Sequence, residues 1–190
     1  MNALRRAEAE PHPRRQRSVL LTGALLGIGL VGAIDEAVFH QLLQWHTLYW
    51  GTDEHGRILS DGMFHLASAA VLVWGALRVW QTPQDWLRSR REALLAAVLI
   101  GAGGFNLYDG LVQHVLLHLH LVNEFVCPTP EANNSIATCP ADLPFEVAWL
   151  LVAAALLAIG ILWWRNVSQD SAPQPSDAVL RGKTRPKMRR

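Results

Sequence analysis

Asp35-Glu36-Ala37-Val38-Phe39-His40-Gln41-Leu42-Leu43-Gln44-Trp45-His46 recurs 74 residues later as Asp109-Gly110-Leu111-Val112-Gln113-His114-Val115-Leu116-Leu117-His118-Leu119-His120. In both copies one His follows the Asp by five residues and another by eleven. A second echo comes after each: Asp61-Gly62-Met63-Phe64-His65 and Asp142-Leu143-Pro144-Phe145-Glu146. Self-similarity of this kind marks a duplicated structural unit. The unit is a helical hairpin, because the copies lie at the ends of long apolar runs.

Those runs cover about residues 19–46, 62–80, 93–120 and 144–164. Each has the roughly 20 residues that cross a hydrocarbon core as a helix. A soluble four-helix bundle carries polar residues every few positions on each outer face, and stretches such as Leu94–Gly104 and Val147–Trp164 have almost none. The fold class is therefore all-α, a polytopic membrane four-helix bundle of two tandem hairpins forming a parallel internal repeat. The first run is expected to stay as a helix and not to be a cleaved leader: Asp35, Glu36 and bulky residues stand where a small-residue cleavage site belongs, and the repeat needs this helix.

The 17 Lys and Arg residues fix the expected orientation. All except Arg57 precede the first run, lie at the end of the second or between it and the third, or follow the fourth. The positive-inside rule then puts both termini in the cytoplasm and loops 47–60 and 121–141 outside. Residues 1–17 read as a disordered basic tail, 18–165 as the membrane domain with hairpins 18–80 and 92–165, and 166–190 as a second disordered tail. With a formal net charge of +1, the chain has the lipid bilayer as its expected partner and no nucleic acid.

The ionisable residues inside the runs gather in the outer halves. Even on a lenient scale a charged side chain at the membrane centre costs about 2.5–3.5 kcal/mol, so such a layer must face itself, water or a cation. On straight α-helices, Glu36 shares a face with His40, and His114 with His118. His65 and Glu146 join from the second and fourth runs. The expected ligands of a transition metal are thus His40, His65, His114, His118, Glu36 and Glu146, as in the inward-facing donor sets of metal-binding bundles. Asp35 and Asp109 stand behind them to orient the rings. His46 and His120 sit at the rim, since a straight helix lifts His46 roughly 16 Å above Asp35. Zn, Cu and Fe all suit imidazole, and carboxylate favours Fe or Zn over Cu(I). A haem b between His40 and His114 ranks behind a metal ion.

The function expected is metal binding near the outer face, in metal handling. One alternative is a membrane metal-dependent hydrolase or oxidase with a carboxylate as base on a metal-bound water. Another is a metal-free scaffold held by a buried hydrogen-bond network. Whether the chain is an enzyme stays open. Cys127 and Cys139, in the longer outer loop, are expected to form a disulfide, with thiolate metal ligation as the alternative.

The motifs Gly32-Ala33-Ile34-Asp35 through His46, Asp61 through His65, and Phe105-Asn106-Leu107-Tyr108-Asp109 through His120 resemble a bacterial family of small predicted membrane proteins known as a domain of unknown function. The resemblance covers about residues 18–165. Members stand beside or fused to cytochrome oxidase assembly proteins, which implies a bacterial inner membrane, a role in respiratory-enzyme maturation, a respiratory oxidase or its assembly factors as partners and copper or haem as cargo. Gln113 departs from the second His that the family often carries next to the position of His114.

Overall fold

Inside hydrocarbon a chain must pair every peptide N–H and C=O within its own segment, and the apolar runs do so as helices. The computed structural model describes residues 12–127 and 137–170. Helix α1 spans His12–Asp35 and continues as wider, π-helical turns over Glu36–Leu42. Helix α2 spans Glu54–Trp80, and the short α3, Gln84–Arg88, follows Pro83. Helix α4 spans Arg91–Tyr108 and continues π-helically over Asp109–Leu116. Helix α5, Leu143–Asp170, completes the set. The four long helices are each long and apolar enough to cross a membrane, and no strand occurs among the described residues. The first helix is already formed at His12, within the stretch expected to be a tail; residues 1–11 and 171–190 of the expected tails lie outside the described residues.

The molecule is a four-helix membrane bundle in which α1 and α4 are the inner pair. They pack on each other, and each packs on its own hairpin partner, α1 on α2 and α4 on α5. In the most apolar window of each span, 39% is buried in α1 and α4, against 11% in α2 and 17% in α5. The outer helices therefore present Leu66, Val73, Leu151 and Leu162 to the bilayer.

Lipid tails are as apolar as leucine, so the helices associate through close van der Waals contact. Small residues make that contact. A Cβ on Gly27 would run into the Val98 carbonyl and the Ala102 amide, and one on Gly101 into the Ala24 backbone. Those two pairs are the same contact seen from each repeat, since 24 and 98, like 27 and 101, are 74 apart. Gly29 and Gly103 seat the hairpin partners in the same way, against Leu72 and Leu157.

The outer ends depart from straight helices. Leu43 N–H bonds Val38 O at 2.8 Å and Leu117 N–H bonds Val112 O at 2.8 Å, an i→i−5 bond at equivalent places. Trp45 N–H then reaches Phe39 O, and Leu119 N–H reaches Gln113 O. Between them Gln44 has φ 53° and His118 φ 51°, left-handed conformations that turn each chain back towards the membrane. His46 and His120 accordingly lie past the helices and fold inward, where straight helices had put them at the rim. Helix α2 also starts about two turns before the apolar run at residue 62: Asp53 caps it, accepting from Gly56 N–H at 2.8 Å.

Replacing Gly27 by Leu should destabilise the bundle by about 1–3 kcal/mol or more, because the overlap is with backbone. Gly104→Leu, where a Cβ meets nothing within 4 Å, should leave the melting temperature in detergent near wild type. Equal melting temperatures for the two variants would contradict the helix contact described.

Candidate metal centre

The turned-back ends bring the repeats into contact. Trp50 N–H bonds Leu119 O at 2.9 Å, and its counterpart Glu124 N–H bonds Trp45 O at 2.7 Å. His46 donates Nδ1–H to Val122 O at 2.8 Å, and His120 donates Nδ1–H to Leu48 O at 3.0 Å. A carbonyl only accepts, so the proton of each ring is on Nδ1, and Nε2 presents its lone pair to the interior.

His40 and His114 are held the same way by carboxylates. His40 Nδ1 is 3.0 Å from Asp61 Oδ1 and 3.6 Å from Glu36 Oε2. His114 Nδ1 is 2.7 Å from Glu146 Oε2. All four imidazoles thus spend Nδ1 on an oxygen behind them. The four rings form one cluster, with centroids 4.5 Å apart for His40–His46, 4.9 Å for His46–His120 and 4.6 Å for His114–His120.

On the Nε2 side stand the two repeat aspartates. Asp35 Oδ2 is 3.7 Å from His40 Nε2, and Asp35 Oδ1 is 3.7 Å from His46 Nε2. Asp109 Oδ2 is 3.1 Å from His114 Nε2, and Asp109 Oδ1 is 4.0 Å from His120 Nε2. The result is two equivalent groups, Asp35/His40/His46 and Asp109/His114/His120, each fully buried and with its donor atoms within 4.8 Å of one another. Within them Asp35 Oδ1, His40 Nε2, His46 Nε2, Asp109 Oδ2 and His114 Nε2 are buried without a hydrogen-bond partner. A third group, Glu36/His40/Asp61, adjoins the first through the other nitrogen of His40.

The residues expected from sequence divide. His40, His114, Glu36 and Glu146 are buried in the cluster; Asp35, Asp109, His46 and His120 are there too, with donor atoms on its inner side. His65 and His118 are exposed and belong to none of the converging groups. His118 is the left-handed residue that ends the π-helical segment, and the inward face of α2 is Asp61, Ser68 and Gly75. The i→i−5 turns explain the regrouping. In a π-helical turn the fifth residue comes round to the starting face, so Asp35 meets His40 and Asp109 meets His114, where α-helical spacing splays them. Asp61 was not expected among the ligands and Glu124 was not singled out. The available signals were an acid on an otherwise small, heptad-spaced face for Asp61, and an acid in a loop free of Lys and Arg for Glu124. Cys127 and Cys139 are joined in a disulfide.

A cleft of about 500 Å³ leads from the loops to His40 and His46, past Asp61, Glu124, Arg57 and Trp50. Arg57 lies over the Trp50 ring at 3.7 Å. Burial pushes the Glu124 carboxyl up to about 9. Burial also holds His120 well below the usual imidazole range, with His114, His46 and His40 adding to the effect.

A multi-pass membrane protein with a buried layer of histidines and carboxylates is the class that this fold and site define. The chain belongs to the family described as Predicted membrane protein (DUF2243), whose model matches residues 22–167. Comparison with curated proteins and with solved structures finds no match.

Glu124 gives a pH prediction. Above an unfolded value of 4.5 the unfolded chain loses this proton, while the folded protein keeps it up to about 9, so folding is weakened as pH rises across that window. Glu124→Gln should flatten this part of the melting-temperature profile between pH 5 and 8 and raise stability most at the upper end. An unchanged slope would rule out a buried, protonated Glu124.

Proposed function

We propose that the layer binds a pair of transition-metal ions, one in Asp35/His40/His46 and one in Asp109/His114/His120. The observation that carries this reading is the facing of His46 Nε2 and Asp35 Oδ1 at 3.7 Å, with His46 Nδ1–H committed to Val122 O. The distance is beyond a hydrogen bond, yet both atoms are buried acceptors. Such a pair is costly to bury unless a cation lies between. His120 Nε2 and Asp109 Oδ1 repeat the arrangement at 4.0 Å.

Charge supports the same reading. Five carboxylates, Asp35, Glu36, Asp61, Asp109 and Glu146, surround four imidazoles, and the salt bridges found for them among the described residues are all to those imidazoles. Two divalent ions neutralise most of that charge. An imidazole whose Nδ1–H is anchored on an oxygen, with Nε2 towards the ion, is the common arrangement of histidine ligands. Two His and one carboxylate with open positions suit non-haem iron first and zinc second. Glu36, Asp61 and Glu146 then orient His40 and His114, in the role the sequence had given to Asp35 and Asp109.

The cleft reaching His40 and His46 favours an accessible centre, in metal handling or in catalysis, over a closed structural one. Both termini are assigned to the cytoplasm of a bacterial inner membrane: the basic residues flank the inner ends, and a disulfide in loop 121–141 suits an oxidising outer side.

Elemental analysis with an optical spectrum on untagged protein in detergent tests the reading. It should find about two Fe or Zn ions per chain, with His114→Ala losing one of them, Glu146→Gln weakening affinity at that site about 10–100-fold, and His65→Ala unchanged. Protein that folds, holds no metal and rebinds none would leave the hydrogen-bonded scaffold; a Soret band would replace the ions with haem.

A further inference from the structure

On the membrane side of the same layer a groove of about 530 Å³ opens between α1 and α5 and ends at Asp35 and Asn106. Its walls are apolar apart from those two residues, and four of them are aromatic: Phe39, Trp45, Phe145 and Trp149. The rings pack edge-on or tilted around one another, Phe39 with Trp149 at 5.4 Å, Phe39 with Trp45 at 5.5 Å and Trp45 with Phe145 at 5.7 Å. Asn106 is 7% exposed, and its Oδ1 is buried without a hydrogen-bond partner. Trp149 Nε1–H donates to the Asn106 backbone carbonyl at 3.2 Å, which fixes the wall at this depth.

An amide whose oxygen has no partner, in the lining of an apolar groove, suits a hydroxyl carried by an apolar molecule, since a hydroxyl both donates and accepts. Aromatic walls suit a flat ring, which they contact by stacking or edge-to-face. A volume of this size takes a small ring and part of a chain. We propose that the groove binds a quinol, an aromatic ring with hydroxyl groups and an apolar tail, its hydroxyl on the Asn106 side-chain amide and its tail lying along α5 in the bilayer. The metal layer then has a lipid-soluble ligand on one side and the polar cleft on the other, with Asp35 bordering the groove and His40 and His46 bordering the cleft. The proposal goes beyond the metal reading and does not need it, because the Asn106 acceptor and the aromatic walls stand with or without an ion.

The full chain in detergent, titrated anaerobically with a decyl-tailed benzoquinol in a calorimeter, tests it. Saturable binding is expected, weakened roughly tenfold by Asn106→Leu, the loss of one buried hydrogen bond. Ala148→Trp, which fills the groove from an exposed position on α5, should abolish binding while the protein melts as wild type. Dodecanol, with a tail and hydroxyl and no ring, should bind at least several-fold more weakly. Dodecanol binding as tightly as the quinol would overturn the proposal in favour of an acyl chain. Absence of saturable binding to wild type, or unchanged binding in Ala148→Trp, would overturn it outright. Elemental analysis of the same sample separates the two readings: metal-free protein that binds the quinol sinks only the metals, and metal-loaded protein that does not sinks only the quinol.

Discussion

The histidine layer depends on two hydrogen bonds that cross between the hairpins, His46 Nδ1–H to Val122 O and His120 Nδ1–H to Leu48 O. Each hairpin supplies a ring that is oriented by the other hairpin's backbone, so neither half-site is complete within its own repeat. The carbonyls do not float. Leu48 N–H is held by Asp61 at 2.7 Å, and Val122 N–H and Asn123 N–H by Asp142 at 3.3 and 2.8 Å. The two echo aspartates thus brace, through one peptide segment each, the residues that set the tautomers of His46 and His120. A hydrogen bond of this kind has a modest net value of about 1 kcal/mol. Its structural consequence is larger, since it decides which nitrogen faces the interior.

The repeats agree in backbone and differ in how they supply carboxylate. In the first, Glu36 lies on the same helix as His40, and Asp61 adds a second carboxylate from α2. In the second, the counterpart of Glu36 is Gly110, and a Cβ there would stand 3.2 Å from Glu146 Oε1. The missing side chain makes room for Glu146 to enter from α5 and take His114 Nδ1. Its echo in the first repeat, His65, has no such opening and faces outward. His40 therefore has two carboxylates on its outer nitrogen and His114 one, and only the first half carries the extra Glu36/His40/Asp61 group. The polar cleft also opens on this half. Duplication supplied a symmetric frame, and a few substitutions made its two Asp/His/His groups unlike in charge and access.

Hydropathy and charge made the four helices and their pairing legible in sequence, because the membrane imposes both rules on the chain: apolar length for spanning and internal hydrogen bonding for every peptide. The 74-residue repeat made the layer legible as well, and Asp35, His40, Asp109 and His114 lie in it. Its inner composition was not legible. Hydrophobic periodicity assumes 100° per residue, and that assumption fails from Glu36 to Leu42 and from Asp109 to Leu116. It paired His114 with His118, which is exposed, and kept His46 and His120 at the rim, though both are at most 1% exposed. Only the spacing of five and eleven, kept in both copies, carried the information.

That spacing also accounts for an expense in the backbone. Gln44 and His118 hold a left-handed conformation without being glycine, and each such residue costs on the order of 1–3 kcal/mol. One instance would be a local accident of a helix end. Two at equivalent positions, each two residues before a histidine that turns inward, make the reversal part of the design of the layer. A helix continuing straight would have satisfied its own peptide groups and carried His46 and His120 out to the head groups. Instead the chain widens its last turns, reverses, and brings two imidazoles back against Asp35 and Asp109. A hydrogen-bonded scaffold gains little from this, since His46 Nε2 and Asp35 Oδ1 are left without a partner at its end. The cation proposed between those atoms would give the strained turns, the anchored tautomers and the facing acceptors a single physical cause.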